Sequence, residues 1–196
     1  MKKLISWLKK KLLGDSSSGD FPPPAKNTGS MISASDLERK IDEIVFKSIP
    51  HMGNLINFKA DTHYWQSVFK ALAYAESSFK LNCRYVEPPS LGKDAVTGIQ
   101  NTSEGLLQLS YQDSKYHSCD FDWNIDKRKS SFDLTKTIFD IEKNITCGMK
   151  IMDKLVGKKG HYVFNDGNYW AVLKPNNKRH KTFMNKFKKY YLGEIS

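Results

Sequence analysis

The segment from Thr62 to Phe79 contains the apolar pattern that most constrains how this chain can fold. Its apolar residues recur at intervals of three and four, which places them on one face of an α-helix: Trp65, Val68, Phe69, Leu72, Ala75 and Phe79. Such a stripe is stable when other elements cover it, so the chain needs more amphipathic segments around this helix. Glu76 lies within the stripe, where a further apolar residue is expected.

Further segments with helical periodicity provide these partners. The first follows a capping box at Ser35-Asp-Leu-Glu38 and ends before Pro50. The others are predicted at about 105–116, 140–156 with Gly157 as the C-terminal stop, 168–173 and 182–192. Alternation with a period of two is weak, although 83–100 has room for a small hairpin, and 117–133 looks irregular. We therefore predict a mainly α fold.

The composition divides the chain into three parts. Residues 1–13 combine leucines and lysines in a pattern that predicts a basic amphipathic helix, suited to an anionic membrane surface. Their apolar run, Leu4 to Leu8, is shorter than the ~7–15 residues of a secretory signal core. A degenerate export signal and an expression artefact are the alternatives. Residues 14–32 are rich in Ser, Gly and Pro and predict a linker, so the folded domain is expected at 33–196.

The net charge of +10 is unevenly distributed. Residues 127–196 carry 16 Lys and Arg against 6 Asp and Glu, whereas residues 60–126 carry 5 against 9. Basic ends favour contact with a polyanion, such as an anionic membrane or an acidic wall polymer, and a merely solvated surface is the alternative. Nucleic acid is not expected as a partner, because no readable nucleic-acid-binding motif accompanies the lysines. A nucleic-acid-binding protein is the weaker alternative function, based on the basic and aromatic segment "KRHKTFMNKFKKYY" from Lys178, which wall or lipid phosphates explain equally well.

The three cysteines and five histidines lack the spacing of a metal site. We predict neither a metal nor another cofactor. Cys119 and Cys147 would pair if the protein is exported, which would leave Cys83 over; two unrelated buried thiols are the alternative.

The position of Glu76 favours a protonated carboxyl group. Burial disfavours the charged form, and the helix is expected to end soon after Glu76, where the negative end of the helix dipole acts in the same direction. A glutamate that keeps its proton near neutral pH is suited to general acid catalysis. The alternatives are a glutamate at the edge of the stripe, or one paired with a buried lysine or arginine.

Three short motifs resemble the soluble lytic transglycosylase family, whose fold is shared with goose-type lysozyme. They are "ESSF" from Glu76, "SEGLLQLS" from Ser103 and "NITCGMKIM" from Asn144, and they occur in the family's order at suitable spacing. The resemblance covers roughly residues 60–175. It implies a lysozyme-like helical domain, active as a monomer on peptidoglycan glycan strands.

The resemblance also implies roles for individual residues. Glu76 would protonate the glycosidic oxygen of the β-1,4 bond between N-acetylmuramic acid and N-acetylglucosamine. Ser77 would help to position Glu76 or the cleaved sugar, and Gln108 would line the cleft and bind substrate. Transglycosylases close a 1,6-anhydro ring, whereas lysozymes of this fold deliver water. Because peptidoglycan lies outside the cytoplasm, the protein would be exported to the periplasm or secreted.

Several positions depart from the family pattern. The segment "GIQNTSE" replaces the usual Ser-x-x-Gly-Ala run and puts Glu104 beside the cleft segment. Tyr111 stands where a proline commonly follows, and would stack on a sugar or anchor a loop. The usual Tyr-Asn pair is absent, so we expect Tyr169 and Trp170 to supply the aromatic hydroxyl and a platform for the sugar.

Several short segments resemble those of lysozymes that prefer deacetylated peptidoglycan. They are "SEGLLQLSYQDS" from Ser103, "YWAVLK" from Tyr169, Cys119 near "FDW" and Cys147 in "ITCG". Deacetylated glucosamine is cationic, and the acidic residues of the segment 60–126 would favour it if they surround the cleft: Glu87, Asp94, Glu104 and Asp113. The alternative function is a non-catalytic protein that binds or assembles the cell wall. The Glu-Ser pair argues against that alternative, since a binding module has no need of a buried acid.

Overall fold

The computed structural model describes residues 32–58, 60–159, 163–164 and 168–193. The predicted amphipathic segment 1–13 and nearly all of the predicted linker lie outside the described residues. None of the described helices has the length and apolar character that a membrane crossing requires.

The described chain forms helices around a single two-stranded sheet. The α-helices are α1 (Ala34–Ser48), α2 (Gly53–Ile56), α3 (Thr62–Ser77), α4 (Gln112–His117), α5 (Trp123–Asp126), α6 (Ile141–Lys159) and α7 (His180–Leu192). The strands are β1 (Arg84–Val86) and β2 (Thr102–Glu104). Short 3₁₀ turns occur at Ile49–His51, Pro89–Leu91, Thr137–Phe139 and Ala171–Leu173. The predicted fold class, mainly α with a small hairpin, is confirmed.

Helix α3 lies at the centre of the core. It begins at Asp61, whose carboxylate accepts a hydrogen bond from the Tyr64 amide at 2.7 Å, and it packs against α1 and α7. Its apolar stripe is buried as predicted, with Trp65 1% and Leu72 0% exposed. The helix is terminated by Ser78, which adopts a left-handed conformation with φ 53°. The predicted helix therefore exists, and its last residue, Ser77, directly follows Glu76. Phe79, the last predicted member of the stripe, lies beyond the helix.

Two predicted helix ends are wrong. Helix α1 is capped by Ser33, whose hydroxyl accepts from the Asp36 amide at 3.1 Å, so the predicted box at Ser35 is displaced by two residues. Gly157 does not stop α6, which continues to Lys159. A Cβ atom at Gly157 would come within 2.6 Å of the Asn54 side chain, so this glycine instead permits α2 to pack closely.

Two predicted helices are also wrong in extent or type. The segment 105–116 is helical from Gln112 onwards, because Gly105 and Gln108 have φ values of +79° and +51°, which an α-helix does not accommodate. The segment 168–173 contains one 3₁₀ turn rather than an α-helix. The segment 117–133, predicted to be irregular, contains the single turn α5.

The hairpin is antiparallel and begins as predicted, but its second strand lies just beyond residue 100. Tyr85 pairs with Ser103 and Arg84 pairs with Glu104. Side chains alternate between the two faces of a strand. Tyr85 and Ser103 therefore share one face of the hairpin, and Arg84 and Glu104 share the other.

Cys119 and Cys147 are joined by a disulfide, which is one of the two arrangements that the sequence left open. Their Cα atoms are 5.0 Å apart, and the bridge ties the loop after α4 to the first half of α6. Cys83 has a free thiol.

Removing the bridge with Cys119→Ala and Cys147→Ala should lower the free energy of unfolding by about 3.5 kcal/mol. The bridged residues are 28 positions apart, and closing a loop of that length restricts the unfolded chain by roughly this amount. Urea denaturation of the full chain measures the change. Cys83→Ser, which removes a thiol but no bridge, is the matched control. Equal stability of the bridgeless variant and the parent would contradict the expectation.

Candidate active site

Glu76 is the next-to-last residue of α3, and its side chain is 9% exposed. Beyond it, Ser78 and Phe79 both have positive φ and turn the chain away from the helix axis. The carboxyl group therefore lies at the end of a helix whose last carbonyl groups carry partial negative charge. The burial and the helix end expected from the sequence are both present.

Arg179 accompanies Glu76. Its guanidinium Nη2 lies 3.7 Å from Glu76 Oε2 and also donates a hydrogen bond to the carbonyl group of Ala75. Its side chain is 48% exposed. One cation thus compensates both the carboxylate and the negative end of α3. The alternative interpretation of Glu76 required a buried lysine or arginine, whereas Arg179 pairs with Glu76 from a half-exposed position.

The Gly-Leu-Leu-Gln-Leu motif forms a tight turn between β2 and α4, which we call the 104–109 turn. The backbone groups of Glu104 and Leu109 close it, with N–O distances of 2.6 and 2.9 Å. Within it, Gln108 Nε2 donates to the carbonyl groups of Gly105, at 2.9 Å, and Cys83, at 3.2 Å. The amide nitrogen of Gln108 therefore holds the turn to the residue that precedes β1.

Asn144 clamps this turn from α6. Its Oδ1 accepts from the Leu107 amide at 2.9 Å, and its Nδ2 donates to the Ile138 carbonyl at 2.9 Å. A Cβ atom at Gly105 would lie 2.4 Å from Asn144 Nδ2, and one at Gly148 would lie 2.3 Å from Leu107 Cδ1. Asn144, Gly148 and the 104–109 turn thus form one interlocked structure, which explains physically why these motifs occur together.

Asn144→Ala should lower the free energy of unfolding by roughly 3 kcal/mol. The substitution leaves the Leu107 amide and the Ile138 carbonyl without their buried partner, and each such loss costs about 1–3 kcal/mol. Thermal or urea unfolding measures the effect, and Asn124→Ala, at an exposed asparagine, is the matched control. Similar losses for the two variants would show that the clamp is unimportant.

Ser77 and Trp170 do not occupy the expected substrate-binding positions. Ser77 is 5% exposed, and its hydroxyl donates to the Ala73 carbonyl at 2.8 Å within α3. Trp170 is 2% exposed, and its Nε1 donates to the Leu107 carbonyl at 2.8 Å. Both side chains pack in the protein interior, where they stabilise the end of α3 and the 104–109 turn. Because they are buried, neither can contact a glycan.

Tyr169 is also buried. Its hydroxyl donates to Asp113 Oδ2 at 2.9 Å, and the residue is 4% exposed. Burial raises the pKa of Tyr169 well above its usual value, and the nearby carboxylates of Asp113 and Glu87 act in the same direction. Tyr169 therefore supports the site from within, and the expected aromatic hydroxyl at the surface of the cleft is not found at this position.

Glu87 lies beside the face of the hairpin that carries Tyr85 and Ser103. Glu87 accepts a hydrogen bond from the hydroxyl of Ser103. Glu87 is two residues after Tyr85, and Cys83 is two residues before Tyr85, so the alternation along an extended chain gives all three the same side. Cys83 in turn lies close to Glu76: burial raises the pKa of the Cys83 thiol, Lys80 lowers it, and the Glu76 carboxylate raises it further. We call this side, with Cys83, Tyr85, Glu87 and Ser103, the Glu76 face of the hairpin.

Glu104 and Tyr111 lie on the face of the hairpin that carries Arg84. Tyr111 is buried and anchors a loop, which is one of the two roles that the sequence left open, whereas Glu104 does not lie with Glu76. Both line a polar pocket of about 180 Å³ to which Glu76 does not contribute. Glu104 Oε1 is 3.0 Å from Arg84 Nε and 3.5 Å from Lys136 Nζ. The hydroxyl of Tyr111 donates to Asp126 at 3.0 Å. These residues form a buried ionic network behind the hairpin.

The remaining acidic residues of this segment stabilise loops. Asp94 accepts from the amides of Val96, Thr97 and Gln112 at 2.8–2.9 Å, and Asp113 accepts from the Ser110 amide at 2.8 Å. Of the four carboxylates expected around the cleft, Glu87 is the one on the Glu76 face. The described residues contain no group of His, Cys, Asp and Glu suited to hold a metal.

The carboxyl group of Glu104 should titrate above the midpoint of an exposed glutamate. Burial raises the pKa of Glu104, and Lys136 and Arg84 lower it without cancelling the effect of burial. Because the unfolded chain releases this proton at lower pH, the contribution of Glu104 to stability should fall as pH rises from the unfolded to the folded pKa. Carbon-13 NMR of the carboxyl groups measures the midpoint.

Two comparisons control this titration. The exposed Glu142 is the internal reference, and Lys136→Met should move the midpoint of Glu104 further up, since it removes a cation. A midpoint of Glu104 below that of Glu142 would show that the two cations outweigh burial.

Comparison with known proteins identifies a shared fold. No family model matches the chain, and no curated protein matches it. Among solved structures it is similar to Bd0314 DslA, a Bdellovibrio protein, in wild-type form 2, with a TM-score of 0.59 and 22% identity over 80% of this chain and 92% of that chain. One glutamate-to-glutamine mutant of that protein matches equally well, and another matches with a TM-score of 0.57 and 20% identity.

The replaced glutamates of these two mutants are eleven residues apart in that protein. Glu76 and Glu87 have the same separation in this chain. Sequence reasoning placed Glu87 among several acidic residues but gave it no separate role. It missed Arg179 entirely, because this residue is 103 positions from Glu76 and the sequence shows no sign of their contact.

Proposed function

We propose that this protein is a glycosidase that cleaves the glycan strands of peptidoglycan, with Glu76 as the general acid. The observation that carries the proposal is a nearly buried glutamate at the end of the central helix. The 104–109 turn, which contains the second motif of the family resemblance, is bound through Gln108 to Cys83, the residue whose thiol pKa Glu76 raises. The bond that the enzyme cleaves would be the β-1,4 linkage between N-acetylmuramic acid and N-acetylglucosamine.

Glu76 would donate a proton to the glycosidic oxygen as the bond breaks, which leaves an oxocarbenium-like centre on the sugar. Glu87, on the same face, would stabilise that charge or orient a water molecule. Its support is the eleven-residue separation from Glu76, which equals that of the glutamates replaced in Bd0314 DslA. A water molecule that attacks gives a lysozyme product, and the sugar's own 6-hydroxyl gives a 1,6-anhydro product.

Gln108 and Arg179 would complete the site. Gln108 uses its Nε2 to hold the 104–109 turn, which leaves its carbonyl oxygen to accept a hydrogen bond from a sugar hydroxyl. Arg179 would orient Glu76 before substrate binds. Its half-exposed guanidinium would also meet the negative groups of an approaching strand.

The proposed substrate implies the place of action and the partners. Because peptidoglycan lies outside the cytoplasm, we propose an exported monomer that contacts glycan strands. Its lysine-rich α7 would add affinity for anionic wall polymers or membrane. A preference for deacetylated, cationic glycan is proposed on the negative charge of Glu87. The other three carboxylates that were expected around the cleft bind backbone amides or cations elsewhere: Asp94, Asp113 and Glu104.

One observation favours a second candidate, a non-catalytic wall-binding protein. The ion pair between Glu76 and Arg179 would hold the carboxylate in its charged form, and a charged carboxylate does not protonate a leaving group. In that case Glu76 would join α3 to the residue that precedes α7 and have no chemical role.

Glu76→Gln should reduce cleavage of purified peptidoglycan at least a hundredfold, because general acid catalysis contributes about 10²–10⁴ in rate. Mass spectrometry of the fragments released from acetylated and deacetylated wall measures both the rate and the product. Reducing ends identify a lysozyme, and 1,6-anhydro ends identify a transglycosylase.

Glu142→Gln, at an exposed glutamate of α6, is the matched control and should cleave as the parent does. If neither wall releases fragments with the parent, the binding protein is the correct alternative. If Glu76→Gln cleaves as fast as the parent, another residue is the acid. Equal rates on the two walls would reject the proposed preference for deacetylated glycan.

A further inference from the structure

A second concave site lies apart from Glu76, on the side of the molecule formed by the end of α1, the end of α4 and α6. It is a pocket of about 420 Å³ whose lining includes Ser118, Thr146, Lys150 and Lys154. His51 and His117 complete its rim. Neither the general acid nor the 104–109 turn contributes to it, so its use is independent of the proposed cleavage reaction.

Two lysines of α6 are fixed in this pocket by backbone carbonyl groups. Lys150 Nζ donates to the Ser118 carbonyl at 2.7 Å, and Lys154 Nζ donates to the Tyr116 carbonyl at 3.0 Å. Neither forms an ion pair with a carboxylate anywhere in the part of the chain that the structure describes. An ammonium group has three N–H donors, so both cations are oriented and each retains donors for a ligand.

Asp153, the acidic residue that lines the pocket, accepts hydrogen bonds from α2. Asp153 Oδ1 accepts from the backbone amides of Asn54 and Leu55 at 2.7 and 3.0 Å, and Oδ2 accepts from Asn54 Nδ2 at 3.1 Å. These bonds attach α2 to α6 and use the negative charge of Asp153 on amide donors. The pocket therefore presents positive charge to a ligand.

The walls of the pocket are held together covalently. Ser118 immediately precedes Cys119, and Thr146 immediately precedes Cys147, so the disulfide joins the two segments that bring Ser118 and Thr146 to the pocket. A site with fixed walls and oriented cations loses little conformational entropy when an anion enters.

We propose that this pocket binds a phosphate group. Two oriented ammonium groups in a pocket that Ser118 and Thr146 also line suit a compact anion that has several acceptor oxygens. Lysine binds phosphate as a point charge. The group would be a free phosphate, a phosphodiester of an anionic polymer or the headgroup of an anionic lipid.

The test is a titration of the full chain, labelled with nitrogen-15, with inorganic phosphate. We expect saturable shifts of the amide signals of Ser118, Thr146 and Lys150 at millimolar phosphate. The double variant Lys150→Gln with Lys154→Gln should bind at least about tenfold more weakly, which is about 1.4 kcal/mol. Glutamine can still donate to the backbone carbonyl groups, so the fold should be retained; a melting curve verifies this.

Lys40→Gln, at an exposed lysine of α1 outside the pocket, is the matched control and should bind as the parent does. Glycerol phosphate polymer and vesicles with phosphatidylglycerol then distinguish the source, since the natural one should bind more tightly than free phosphate and compete with it. No saturable shift, or equal affinity of the double variant and the parent, would overturn the proposal. Because Glu76→Gln leaves this pocket intact, phosphate binding and glycan cleavage succeed or fail separately.

Discussion

The hydrogen bonds of Asn144 are the interaction on which the rest of the site depends. One buried side chain satisfies the Leu107 amide and the Ile138 carbonyl, and it does so from the first turn of α6. The 104–109 turn is costly to form alone, because Gln108 has a positive φ of 51°, which a residue with a side chain rarely adopts. Asn144 offsets that cost, and the tight approach at Gly148 leaves the turn no room to shift. The hairpin and its Glu76 face are positioned as a consequence.

The end of α3 combines burial with charge compensation. A carboxyl group at a helix C-terminus is unfavourable as an anion, both because water is largely excluded and because the helix carbonyl groups point towards it. Arg179 relieves both effects through Glu76 and Ala75. A glycan strand that entered the site would displace water from the half-exposed Arg179. The equilibrium between a protonated Glu76 and a Glu76 carboxylate paired with Arg179 would then change. That balance separates an acid catalyst from a structural ion pair.

The sequence predicted the long amphipathic helices better than the turns and the spatial partners. The stripe of α3 and the position of Glu76 followed from spacing along one helix, whereas the Gly-Leu-Leu-Gln-Leu motif was placed in a helix and instead forms the 104–109 turn, which Asn144 holds. Ser77, Tyr169 and Trp170 were assigned to the cleft but are buried, because a motif reports which residues occur together and not which way each side chain points. Glu104 lies behind the hairpin for a similar reason: a one-residue step along a strand reverses its face. The contact between Arg179 and Glu76 could be found only from the tertiary structure, because the two residues are far apart in the sequence.

The most direct test of the central claim is a crystal structure of Glu76→Gln with a bound peptidoglycan tetrasaccharide. We expect a glycosidic oxygen within about 3.2 Å of the side-chain amide at position 76, the reach of a proton donor, with Glu87 facing the anomeric carbon from the other side of the sugar ring. A glycan bound in the pocket beside Glu104 and Tyr111, or elsewhere at a distance from position 76, would contradict the claim that Glu76 protonates the bond.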